Sequence, residues 1–169
     1  MKQTLKYIYG IVYENMKFAE AKHSIVLTFS GAVTAFATTF LGGGNAQILF
    51  AISSIIFSLI AILYSFVALV ARRVKIKNKK RKDTDNLVFY KDIMKYDEKS
   101  FVDRIKKKYD FTKVYKADEM DYDLAKDIIA TSKLAYIKFL YFNFAVLFLI
   151  ASIVSIILTV LIRGGVLAW

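Results

Sequence analysis

Residues 136–162 read YIKFLYFNFAVLFLIASIVSIILTVLI, with no acidic side chain and a single cation, Lys138, near the start. A bilayer's hydrocarbon core is about 30 Å thick, and a helix needs roughly 20 mostly apolar residues to cross it. This stretch exceeds that length and has no polar side to turn toward water. Two more stretches lie upstream: residues 46–71, AQILFAISSIIFSLIAILYSFVALVA, and residues 24–41, SIVLTFSGAVTAFATTFL, both free of Asp, Glu, Lys and Arg. A signal peptide fits the first of these poorly. Residues 1–23 precede it, and Gly42, Gly43 and Gly44 lead straight into the next apolar run, as a tight hairpin between spans would. The expected fold is an all-α integral membrane protein: three transmembrane helices, with a mostly helical cytoplasmic insert between the second and third.

Charge sets the expected orientation, because Lys and Arg gather on the cytoplasmic side of spans. Of the 25 basic residues, four precede the first span (Lys2, Lys6, Lys17 and Lys22), 20 lie from Arg72 to Lys138, and one, Arg163, follows the third. Hairpin 42–45 has none. The N terminus and residues 72–135 are therefore predicted to be cytoplasmic. The tail, 163–169, is predicted to lie outside, with Trp169 as an interfacial anchor. The composition suits a multi-pass protein of a bacterial cell inner membrane.

Each segment has its own pattern. In residues 1–23, Tyr7, Ile8, Ile11, Val12 and Phe18 fall near helical spacing and predict an amphipathic lead-in. In span 24–41, Ser24, Thr28, Gly31, Ala35 and Thr38 share one face. Small side chains let helices approach closely in lipid. That face either packs inside the bundle or meets other copies, lining a pore in a homo-oligomer. Span 46–71 carries Ser53, Ser54, Ser58 and Ser65 and ends at a basic run, Arg72 to Lys82, suited to anionic lipid headgroups. No Gly or Pro occurs from Ala46 to Arg163, so the insert, 72–135, is expected to be helical. Residues 86–93, NLVFYKDI, read as one helical turn or a short strand. Asp97 reads as an N-cap ahead of the stripe Phe101, Val102, Ile105 and Tyr109. Asp118 reads as another, ahead of Met120, Leu124, Ile128 and Ala135. The helix it starts is expected to run unbroken through span 136–162, on the order of 65 Å.

The chain has no Cys and one histidine, His23, expected at the membrane interface. No thiolate metal site, Ser–His–Asp set or Gly-rich phosphate loop can be assembled. Asp118, Glu119, Asp121 and Asp123 read as a solvated helix start rather than an acid–base pair. No catalytic residue, metal ligand or cofactor is expected, and the chain is not read as an enzyme. The insert does combine many cations with Tyr90, Tyr96, Tyr109, Phe111, Tyr115 and Tyr122. Cations pair with phosphate and rings stack on a base. The expected contacts of a small anionic ligand are Asn86, Tyr90, Lys91, Arg104 and Lys107; nucleic acid is not an expected partner. A transporter subunit is disfavoured, since no acidic group lies in a span. A scaffold protein stays open.

Three segments carry a resemblance: residues 15–22, NMKFAEAK, ahead of the first span; residues 86–93; and residues 123–138, DLAKDIIATSKLAYIK, ahead of the last. Their order and setting resemble the transmembrane effectors of bacterial Pycsar antiphage systems, with Glu20 standing where the family tends to carry Asp. The resemblance covers nearly the whole chain. It implies a partner cyclase that senses phage and makes a cyclic pyrimidine mononucleotide, cUMP or cCMP. It also implies an effector that responds by impairing the inner membrane, so that infection aborts. No contact residue is carried over from the family. A two-span, nucleotide-activated defence effector is the related alternative, which the third span disfavours.

Overall fold

The computed structural model describes residues 1–71, 81–109, 111 and 115–165. Residues 72–80 of the basic run and the anchor Trp169 lie outside the described residues. Five helices follow one another: α1 Lys2–Thr38, α2 Asn45–Val70, α3 Tyr90–Ile93, α4 Glu98–Lys108 and α5 Glu119–Arg163. There is no strand among the described residues. The fold is all-helical, and α5 is one unbroken helix of 45 residues. Residues 86–93 form a turn leading into the short α3.

The chain divides into two compact units, residues 1–19 with 71–138, and residues 20–70 with 139–169. The first 19 residues thus pack with the insert. In that first unit, Leu5, Ile8 and Val12 of α1 share a core with Leu87, Ile93, Phe101, Val102, Ile105, Ala125 and Ile128. The α1 stripe differs from the expected one. Ile8 and Val12 are buried, whereas Tyr7 and Phe18 are more than half exposed and Leu5 takes the inner position. In α4 the stripe holds for Phe101, Val102 and Ile105, while Tyr109 is exposed. Asp97 caps α4: its Oδ1 accepts from Ser100 N at 3.0 Å, and Ser100 Oγ accepts from Asp97 N at 3.3 Å. Asp118 and Asp121 exchange the same reciprocal bonds at the start of α5, at 3.0 and 3.1 Å. Lys2 Nζ reaches Asp118 at 2.7 Å and ties the start of α1 to the start of α5.

The second unit is packed through small side chains. The buried residues of α2 are Gln47, Ala51, Ser54, Ser58, Ala61, Ser65 and Ala68, spaced four, three, four, three along the helix. That is a heptad seam made of small residues. It meets α5, whose Ala145, Ser152 and Thr159 are buried seven residues apart. Ser152 Oγ lies 2.8 Å from Ser54 Oγ and 2.7 Å from Ser58 Oγ, so three hydroxyls form one interhelical node. Beyond the node, Tyr64 packs its ring against Tyr141, Phe144 and Phe148, with centroids 5.7–6.0 Å apart. His23 is fully buried and meets Phe142 edge-on at 5.8 Å. Large apolar side chains such as Leu49, Leu59 and Leu63 of α2 and Leu147 of α5 point outward. A water-soluble bundle reverses this arrangement.

Among the described residues, two helices are long and apolar enough to cross a membrane, α2 and α5. The apolar part of α1 is not among them. It ends at Thr38 and is diluted by Ser24, Thr28, Ser30, Gly31 and Thr34. The face expected from Ser24, Thr28, Gly31, Ala35 and Thr38 exists, and every one of those residues is exposed. It does not pack inside the chain's own bundle. The hydroxyls of Ser24, Thr28 and Thr38 bond back to carbonyls of their own helix.

The hydroxyl node generates a stability prediction. Ser152→Ala is expected to weaken α2–α5 association by about 0.5–2 kcal/mol, the scale of one interhelical hydrogen-bond cluster in lipid. Ser152→Leu, which has no room in the seam, is expected to cost more. Reversible unfolding in detergent micelles measures both.

Candidate functional site

Among the described residues, Lys2, Arg81, Lys95 and Arg104 of the first unit pair with carboxylates. Asp85 is the centre of that scaffold. Its carboxylate is buried and accepts from Lys82 N at 3.0 Å, from Lys95 Nζ at 2.8 Å and from Tyr96 Oη at 3.3 Å. Burial pushes this carboxyl up; the bonds from Lys95, Lys82 and Tyr96 outweigh burial and hold it below its ordinary value. Lys95 also reaches Asp92 at 2.6 Å, and the two carboxylates raise its pKa. Asp92 in turn accepts from Asn86 N, and Asn86 Oδ1 accepts from Val88 N, each at 3.0 Å. Residues 82–96 are thereby folded into one hydrogen-bonded knot.

Beside the knot lies an open cleft of about 390 Å³ lined by Arg81, Lys82, Asp83, Tyr96, Ser100, Asp103, Arg104 and Lys107. Its volume falls within the roughly 300–1,000 Å³ of small-molecule sites. Four cations face two carboxylates, so the cleft is net positive. Arg81 is pinned by the Asp97 carboxylate and the Lys95 carbonyl, and its guanidinium lies over the Tyr96 ring, 5.5 Å from the centroid. Arg104 reaches back from α4 to Asp83: Nη1 is 3.1 Å from Oδ1, and Nη2 donates to the Asp83 carbonyl. Two guanidinium groups in one cleft suit a phosphate, which takes parallel N–H bonds from each fork. A larger groove, about 610 Å³, runs along α1 past Lys6, Tyr7, Gly10, Glu14 and Phe18. It brings no cluster of cations together and is a weaker candidate for an anion.

The expected contact residues part company here. Arg104 and Lys107 line the cleft. Asn86 closes its own turn, Tyr90 is buried, and Lys91 Nζ lies 6.0 Å from the Phe89 ring centroid; none of the three lines it. Sequence reasoning missed Arg81, Lys82 and Ser100 as cleft residues and named Tyr96 only among the insert's rings. The first two sat inside a charge run read as a lipid grip, and Ser100 was hidden by its capping role. Among the described residues, no group of three or more His, Cys, Asp or Glu side chains could hold a metal ion.

Fold and cleft together describe an all-helical protein with two membrane-length apolar helices and, in the first unit, an open net-positive cleft. A family model described as the Pycsar effector protein domain matches residues 4–164. The chain belongs to that family and is a Pycsar antiphage defence effector. No curated protein and no solved structure matches it.

The knot should stabilise the fold between two limits of pH. Asp85 has a lowered folded pKa, so its contribution is present above the ordinary 3.8 and is lost as pH falls through the lowered value. Lys95 has a raised folded pKa, so its contribution is present below the ordinary 10.5 and is lost as pH rises through the raised value. Thermal melts of the purified protein are expected to show a plateau between those limits. In the Asp85→Asn variant the acid-side loss should shrink and the plateau should lie lower.

Proposed function

We propose that this protein is the membrane-acting arm of its defence system. A partner cyclase makes a cyclic pyrimidine mononucleotide, cUMP or cCMP, during infection. The insert receives it, the inner membrane is impaired, and the cell stops before phage mature. The observation that carries this reading is the family match across residues 4–164. The basic cleft is in keeping with it, since guanidinium groups suit a phosphate. The chain acts by changing shape, without chemistry or a cofactor of its own, and with no nucleic-acid partner.

In this reading three helices cross the bilayer: residues 24–41 of the α1 region, with α2 and the apolar part of α5. The N terminus and the insert face the cytoplasm, the C terminus lies outside, and the basic run from Arg72 to Lys82 grips anionic headgroups. Two features support transmission. Helices α1 and α5 each start in the first unit and end, without a break, in the second. The exposed face Ser24, Thr28, Gly31, Ala35 and Thr38 repeats the four–three spacing of the seam that α2 buries. A second copy of the chain is the partner that face fits, in a homo-oligomer built when the ligand shifts the packing of the insert.

Cells expressing the chain are expected to depolarise when cUMP or cCMP is raised, read with a membrane-potential dye. Arg104→Gln together with Lys107→Gln should abolish the response while leaving membrane insertion intact. Two glycines inserted between Ser132 and Lys133 should leave ligand binding in place and uncouple it from depolarisation. An unchanged potential with both nucleotides rejects the reading.

Gly31→Leu is expected to cut crosslinking between copies by about tenfold, a change of roughly 1.4 kcal/mol in association. Crosslinking equal to the parent's would assign that face to lipid.

A further inference from the structure

Asp83 stands apart from the other carboxylates of the first unit. Asp85, Asp92 and Asp97 each accept backbone N–H bonds and hold the knot or cap a helix. The Asp83 side chain is 95% exposed, and its only ion pair among the described residues is with Arg104. Its partner is placed very differently. The Arg104 side chain is only 18% exposed, packed at the back of the cleft. Its Nε is buried and has no hydrogen-bond partner among the described residues. A guanidinium carries five N–H donors, and a buried one without an acceptor is costly to leave so. The cation is therefore held ready and incompletely satisfied, while the anion that covers it is loosely held.

We propose that Asp83 is a placeholder for the phosphate of a soluble ligand: the ligand takes over the Arg104 guanidinium and releases the Asp83 carboxylate to water. This rests on the receiver reading given above and adds its regulation. The Asp83 end of the pair stands in water and is screened, so the pair contributes on the order of 1 kcal/mol, and a phosphate that binds a guanidinium fork displaces it at small cost. The Asp83 carbonyl also accepts from Arg104 Nη2, and that bond needs no side chain. Removing the carboxylate therefore leaves the backbone tether of residue 83 in place. The exchange sets a threshold. Every anion that needs Arg104 binds about fivefold more weakly than it would without the Asp83 carboxylate.

The test is titration of the full chain in lipid nanodiscs with cUMP, cCMP and inorganic phosphate. Asp83→Ala is expected to tighten binding of at least one probe by about fivefold, the most that an exposed ion pair accounts for. Asp103→Ala removes the same charge from the same cleft but breaks no Arg104 ion pair, and is expected to gain less than about twofold. In the double variant Asp83→Ala with Arg104→Gln, the gain should vanish. Equal gains from the two aspartate variants, no gain from Asp83→Ala, or a gain that survives loss of Arg104 each overturn the placeholder. If the parent binds cUMP or cCMP and Asp83→Ala binds it equally, the placeholder fails and the receiver stands. If Asp83→Ala tightens phosphate alone while neither nucleotide binds any variant, the placeholder stands and the nucleotide reading fails. The titration is repeated with anionic phosphatidylglycerol in the nanodiscs. A gain that persists assigns the site to a soluble ligand, and one lost to the anionic lipid overturns that assignment in favour of headgroups.

Discussion

Two helices in lipid gain nothing from hiding apolar surface, because lipid tails are as apolar as their side chains. What holds α2 to α5 is close approach, and close approach requires small residues on the contact line. Ala51, Ser54, Ser58, Ala61, Ser65 and Ala68 meet that requirement at every step. Ser152 then satisfies two hydroxyls that hydrocarbon would penalise, and Tyr64 fills the wider space toward the end of α2 with three aromatic neighbours. The rest of the second unit follows from this contact. Bulky residues are left for the outside, and the remaining small-residue face, on α1, is left without a partner within the chain.

The first unit works by the opposite physics. Its core is ordinary hydrophobic burial around Phe101, Ile105 and Ile128, and its polar order comes from charge placed beside charge. Asp85 is buried at the cost of its hydration, and three donors repay that cost. The two units share α1 and α5, which belong to both kinds of packing at once.

Much of this was legible in the sequence, and the limits have physical causes. The lengths of α2 and α5 showed directly, since an apolar run without breakers has few alternatives. The caps Asp97 and Asp118 were visible because capping is local. The direction of a face was not. Period places Ser24, Thr28, Gly31, Ala35 and Thr38 together but does not say what they look at. The burial of His23 was not legible, because it comes from Phe142, far along the chain. The cleft was half legible. Arg104 and Lys107 stood out as helix cations, but Arg81 joins them only because Asp97 draws it across, a contact between residues 16 apart. Asn86 and Tyr90 drew attention as polar and aromatic residues in an apolar setting, and the fold uses them to make a turn and fill a core.

The four–three spacing along α2 also constrains how the gene for such a chain can change. A residue added inside the helix turns everything after it by about 100°. Past that point Ser54, Ser58 and Ser65 would swing out of register and large side chains such as Leu59 or Leu63 would swing in. A point substitution disturbs one rung of the ladder; an insertion or deletion disturbs all rungs beyond it. Length can drift at the hairpin, where no register is being kept. Within α2 it can change without loss only by whole heptads, so the helix inherits its length as a fixed quantity while its lipid-facing letters wander.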